Sequence, residues 1–90
     1  MNPNPDPRPD TVEVEVFAPS VREPLHFNFP MTETVGSAAA TAARAFGLQP
    51  TAPSFEFEGQ DDPLDPSLTL EAAGIRDGQR LELVDVGGGV

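Results

Sequence analysis

The sequence predicts an α+β domain in which one mixed sheet of four to five strands packs on a single helix. Three observations predict it. Apolar residues alternate with polar ones in short runs at both ends of the chain, the signature of half-buried strands. Between these runs lies one alanine-rich segment whose apolar positions recur every three to four residues. Ninety residues with no Cys leave room for one domain with one modest core, without disulfides, a thiolate metal site or a thiol nucleophile.

Residues 1–10 carry Pro at every second position from Pro3 to Pro9 and are expected to be a disordered arm leaning to polyproline II. The arm reads as a spacer, with a peptide ligand for an aromatic groove as the alternative. Thr11 to Phe17 places Val12, Val14 and Val16 on one face and Glu13 and Glu15 on the other. Ala18 to Pro24 holds two prolines and a Ser and reads as a loop of about six residues. Leu25, Phe27 and Phe29 then alternate inward to complete a hairpin.

The period changes at Thr32 to Phe46, where six alanines supply strong helix formers. Val35, Ala38 or Ala39, Ala42 and Phe46 share a face; Thr34 suits the N-cap and Gly47 the position beyond the C-terminus. Ser54 to Glu58 returns to alternation with Phe55 and Phe57 inward, and Gly59 stops it. A polar loop follows to Pro66, then a short helical turn around Leu70 to Ala73 ended by Gly74. Asp77-Gly78 is a turn, and Gln79 to Val86 is the final strand with Leu81 and Leu83 inward. Hairpin, crossing helix and two more strands pack as one sheet with a right-handed crossover, which is the β-grasp layout. The domain is expected to span residues 11–86, with 87–90 as a flexible Gly-rich tail.

The net charge of −10 argues against nucleic acid or an anionic membrane as a direct partner and favours a basic protein surface. Charge that merely maintains solubility explains the same balance. The absence of a membrane-length apolar run and of a signal-peptide pattern suggests a soluble, cytoplasmic monomer. All five basic residues are arginine (Arg8, Arg22, Arg44, Arg76 and Arg80) and lysine is absent. Codon drift accounts for that; so does a protein handled by amine-directed transfer that avoids being its own target, since arginine stays protonated.

The run from Phe55 to Val84 resembles the ubiquitin family. It contains Phe-Glu-Phe-Glu-Gly, then Pro63-Leu64-Asp65, Leu68-Thr69-Leu70, Ala73-Gly74-Ile75 and Arg80-Leu81-Glu82-Leu83-Val84, followed by glycines. The likeness covers residues 12–89 and extends to a bacterial-type ubiquitin-like modifier. What it implies is a precursor trimmed by a processing protease to a C-terminal glycine. An ATP-dependent activating enzyme then adenylates that glycine, and the acyl group passes to a cysteine thiolate, with a conjugating enzyme as a possible further carrier, before isopeptide bond formation on target proteins.

Gly88 and Gly89 map onto the family's terminal pair, and cleavage between Gly89 and Val90 is expected, with cleavage after Gly88 as the alternative. Extended chain from Val84 to Gly89 spans roughly 16 Å. Without lysines, lysine-linked polymers are excluded, so a single-copy modifier is implied. Glu56 stands where ubiquitin carries an aliphatic residue in its third strand, whereas Val84 matches an apolar patch position. Parity puts Glu13, Glu15, His26, Glu56, Glu58, Arg80 and Glu82 on the open sheet face. That face is expected to dock a basic partner such as the activating or transfer enzyme; a solvated sheet face is the plain alternative.

Other constellations carry less. Asp61, Asp62 and Asp65 lack the ligand spacing of a calcium loop, and Gly87 to Gly89 lack the Lys and helix start of a phosphate loop. His26 reads as a surface residue. No cofactor, metal site or catalytic constellation is expected, and the chain itself reads as a non-enzyme. Two other functions share the fold: a sulfur carrier bearing a terminal thiocarboxylate, and a non-conjugated adaptor that binds through its sheet or helix.

Overall fold

The computed structural model describes residues 11–19 and 21–86. In chain order the elements are β1 (Thr11–Phe17), β2 (Leu25–Pro30), α1 (Val35–Phe46), β3 (Pro53–Phe57) and β4 (Gln79–Asp85). They form a four-stranded sheet of order β2-β1-β4-β3 with a parallel central pair, β1 and β4, and antiparallel pairs at both edges. One helix covers one face of the mixed sheet, so the β-grasp layout expected from the sequence holds.

Alternation in β1 does what period two requires. Val12, Val14 and Val16 are buried, and they meet Ala38, Ala39, Ala42 and Ala43 of α1 together with Leu81 and Leu83 of β4. The five buried positions of the helix, Val35, Ala38, Ala39, Ala42 and Ala43, are all Val or Ala and let it lie close to the sheet, because alanine adds little width between the layers. Phe29 and Phe55 tilt against each other at 6.4 Å across this core, and Phe27 stacks on Phe29 at 5.2 Å.

The helix ends where its caps say it should. Thr34 is extended and its Oγ1 accepts from the Ser37 amide at 3.2 Å. Gly47 adopts φ 78°, a left-handed conformation that costs glycine nothing, and its N–H reaches back to the Arg44 carbonyl at 3.0 Å. The first helical amides are satisfied from outside: Val35 N–H donates to the Leu68 carbonyl at 2.7 Å and Gly36 N–H to that of Pro66 at 2.9 Å. These contacts staple the 64–70 segment onto the helix start. Gly36 leaves room for this approach, since a Cβ there would lie 3.0 Å from the Pro66 Cβ.

The expected bounds of the hairpin strands hold, with β1 ending at Phe17 and β2 beginning at Leu25. Two expectations shift. Leu25 is not inward in the sense expected: it pairs with Val16 but is 37% exposed, because it opens an edge strand at the sheet's end. Ser54 keeps the outward parity of Glu56 yet is fully buried. Its hydroxyl donates to the Leu64 carbonyl at 2.6 Å, and Leu64 N–H donates to the Phe55 carbonyl at 2.8 Å, so the loop after β3 folds back on this edge strand.

Candidate functional site: the outer sheet face and the end of the last strand

The face of the sheet away from α1 is built by the odd-parity residues of β1 and their neighbours. Glu15 stands opposite His26 on β2 and Arg80 on β4, and Glu56 on β3 stands directly opposite Glu82 on β4. All the acidic residues expected on this face are on it, but they do not behave alike.

One set is neutralised within the chain. Arg80 Nε lies 3.2 Å from Glu15 Oε1, its Nη1 lies 3.7 Å from Glu58, and Glu15 Oε2 lies 3.1 Å from His26 Nε2. The guanidinium also lies 5.9 Å from the centroid of the Phe17 ring. This ladder runs His26, Glu15, Arg80, Glu58 across the sheet and engages Arg80, the one arginine of this face among the described residues. Glu13 is held by its backbone rather than by its carboxylate: its N–H donates to Asp77 Oδ1 at 2.8 Å, and its carbonyl accepts from Gly78 at 2.8 Å.

The other set is left with its charge. Among the described residues no ion pair reaches Glu13, Glu56 or Glu82. Glu56 and Glu82 are half-buried neighbours across the β3–β4 pair. Like charges so placed repel, since directly opposed Cβ atoms are only about 5 Å apart. Beside them lie apolar groups at the end of β4: Phe17, which shares a row with Glu82, and the half-buried Val84. From Val84 an apolar groove of about 260 Å³ continues over the sheet's end past Pro19, Leu48 and Pro50. A second depression, lined by Phe17, Ala18, Pro19 and Glu82, shares Pro19, Leu83 and Val84 with it, so the two adjoin.

The end of β4 is fastened. The two carboxylate oxygens of Asp85 accept from the amides of Thr51 and Ala52 at 3.0 Å each, and Val86 N–H donates to the Ala52 carbonyl at 2.9 Å. The loop between α1 and β3 therefore grips the last residues of the domain. Gly88, Gly89 and Val90, the expected conjugation and processing residues, lie outside the described residues, as do Gly87 and the proline arm of residues 1–10.

Several of these participants are not evident from strand patterns. Phe17 could have been placed outward, since it continues the parity of Glu13 and Glu15. Pro19, Leu48 and Pro50 come from two loops, and no periodicity brings loops together. The double grip of Asp85 had no local signal at all. Among the described residues no cluster of three or more metal-ligating side chains forms, and no helix is long and apolar enough to cross a membrane.

No family model matches the sequence, nor does any curated protein. Solved structures do match, and they define the class: ubiquitin-like β-grasp folds. The ubiquitin of Caldiarchaeum subterraneum superposes with a TM-score of 0.69 at 21% identity, over 89% of this chain and 99% of that one. A protein designed de novo on ubiquitin gives 0.74 at 23% identity, covering 91% and 96%. The ubiquitin-like domain of tubulin-binding cofactor B gives 0.69 at 22%, covering 89% and 94%. At these identities the likeness is one of fold, and what the domain does must be argued from its own residues.

Proposed function

We propose that the chain is a ubiquitin-like protein modifier that works through the carboxylate of Gly89. Hydrolysis of the Gly89–Val90 peptide bond frees that carboxylate. On an activating enzyme it attacks the α-phosphorus of ATP, releasing pyrophosphate and leaving an acyl adenylate. A cysteine thiolate of the enzyme displaces AMP, and an amine of the target protein then displaces the thiolate to leave an amide. The chain supplies no catalytic group in these steps. Its contribution is an acyl terminus without side chains, which fits a channel too narrow for any other residue.

The observation that carries this reading is the junction at Val86. The domain is hydrogen-bonded up to that residue, and the sequence then runs directly into Gly87-Gly88-Gly89. The outer face, with Glu13, Glu15, Glu56, Glu58, Glu82 and Val84, is proposed as the surface met by the activating or transfer enzyme. Absence of lysine fits a modifier attached singly.

The test is an intact-mass spectrum of the protein recovered from its native cells under non-reducing conditions. Loss of Val90 with adducts on other proteins is the expected result. A trimmed form with one oxygen replaced by sulfur would identify a thiocarboxylate carrier instead. A chain retaining Val90 and forming no adducts would refute both, leaving an adaptor whose function survives deletion of Gly88 to Val90. For the face, thioester formation after replacing Glu56 and Glu58 with Ala should slow; an unchanged rate removes the docking role.

A further inference from the structure

The trough at the end of β4 has two halves of different chemistry, and together they specify a partner more narrowly than an acidic face does. We infer that it binds a segment of another protein in which an arginine is flanked by aliphatic or aromatic residues. The guanidinium spans Glu56 and Glu82 while its neighbours fill the apolar trough of Phe17, Pro19, Leu48, Pro50 and Val84. This deepens the reading of the outer face as a partner surface, and it is independent of what happens at Gly89.

Charge complementarity selects the occupant. Glu56 and Glu82 oppose each other with no cation of the described chain on either. Two half-buried carboxylates about 5 Å apart at Cβ are mutually destabilising until a cation lies between them. A guanidinium is planar with five donors and can serve both carboxylates at once, whereas an ammonium is a more strongly hydrated point charge. Arg80 is not available, because it is already held by Glu15 and Glu58.

The chain's own ends are poor occupants. Residues 87–90 are Gly-Gly-Gly-Val and carry no cation to offer Glu56 and Glu82. Arg8 is three residues before Thr11, and Thr11 lies about 20 Å along β1 from Phe17. That tether is too short to lay Arg8 across both carboxylates. The apolar half disfavours a purely ionic ligand: Leu48, Pro50 and Val84 are half-buried and line a groove whose exposed surface is mostly apolar, with Gln49 and Asp85 at its edge. Burying it against aliphatic side chains adds affinity that salt does not screen.

The test uses the full chain, uniformly labelled with nitrogen-15, with no enzyme or ATP present. The probe is the blocked peptide acetyl-Ala-Leu-Arg-Phe-Leu-Ala-amide. Controls carry Glu in place of Arg, or Ser in place of Leu and Phe. Amide shifts should move at Phe17, Leu48, Glu56, Glu82 and Val84 and leave the β2 edge unchanged. Both control peptides should bind at least about fivefold more weakly, as should the E56Q/E82Q chain, which loses charge without losing shape. Val84→Thr, nearly isosteric, should weaken binding with no change in its salt dependence. Equal binding of the Glu peptide, shifts centred elsewhere, or no shifts at millimolar probe would each overturn the proposal. The mass spectrum that tests the fate of Gly89 is unaffected by any of these results.

Discussion

Replacing Asp85 with Ala removes the grip that holds the end of β4, and the cost can be worked from two hydrogen bonds. Asp85 accepts from the Thr51 and Ala52 amides, each at 3.0 Å and each to a different oxygen. Bonds to a charged group are worth up to ~3 kcal/mol when buried, but Asp85 is exposed and water can replace it, so about 1 kcal/mol each is appropriate. The loss of ~2 kcal/mol corresponds to a fall in Tm of about 8–15 °C for a domain of this size. Asp85→Asn keeps one acceptor but turns an amide donor toward the second N–H, so it should recover no more than half. Thermal unfolding followed by circular dichroism gives the global cost. Hydrogen exchange at the Val86 amide, which bonds to the Ala52 carbonyl, reports the local one. If Asp85→Ala lowers Tm by under about 2 °C and Val86 remains as protected as before, the grip is not what holds this end.

Three further outcomes are expected. Ser54→Ala strands the Leu64 carbonyl, which accepts from the buried hydroxyl at 2.6 Å, and should cost ~1–2 kcal/mol in urea denaturation; a neutral effect would mean that water takes the site. Gly36→Ala gains about 1 kcal/mol of helix propensity. It also places a Cβ 3.0 Å from the Pro66 Cβ and 3.2 Å from its carbonyl, so a net loss is expected in the same assay, and a net gain would show that the 64–68 segment yields easily. The Asp65 carboxyl is held below its ordinary value of 3.8, first by the backbone amide of Ser67 and then by its hydroxyl. A lowered folded value contributes stability that is present above 3.8 and lost as pH falls through and below it. A scan of Tm against pH should therefore be steeper in that acid range for the natural chain than for Asp65→Asn, and parallel curves would contradict the assignment.

The elements were legible where local chemistry alone decides them. Alternation in Thr11–Phe17 and Gln79–Asp85, the alanine spacing of α1, and the caps Thr34 and Gly47 each state their own conformation. What was hidden depends on how distant pieces meet. Ser54 looked like a solvent-side strand residue because nothing in Pro53–Phe57 announces that Leu64 returns to cover it. Leu25 looked inward because parity gives the direction of a side chain but not whether anything lies over it. The acidic face was legible as a set of residues, yet its division into a neutralised ladder and an unneutralised pair follows only from strand order. That order puts Arg80 between Glu15 and Glu58 and leaves Glu56 against Glu82.

That division bears on how the proposed tail would be used. The sequence suggests an arm measured from Val84, roughly 16 Å to Gly89. The hydrogen bonds of Asp85 and Val86 move the root of the arm forward, so covalent geometry allows the Gly89 carboxylate to stand no more than about 10 Å from Val86. An enzyme that holds this carboxylate must therefore come close to the end of β4. The surface waiting there is the apolar trough with the unneutralised Glu56–Glu82 pair beside it, rather than the Arg80 ladder further along the sheet. Fastening the arm thus couples two requirements: whatever accepts the glycine must also match a surface half acidic and half apolar. If the D85A chain, with its arm released, forms a thioester with a binding-deficient E56Q/E82Q background as readily as with the natural face, reach and recognition are coupled through Asp85. If the E56Q/E82Q defect is the same with the grip intact or released, the trough acts on binding alone.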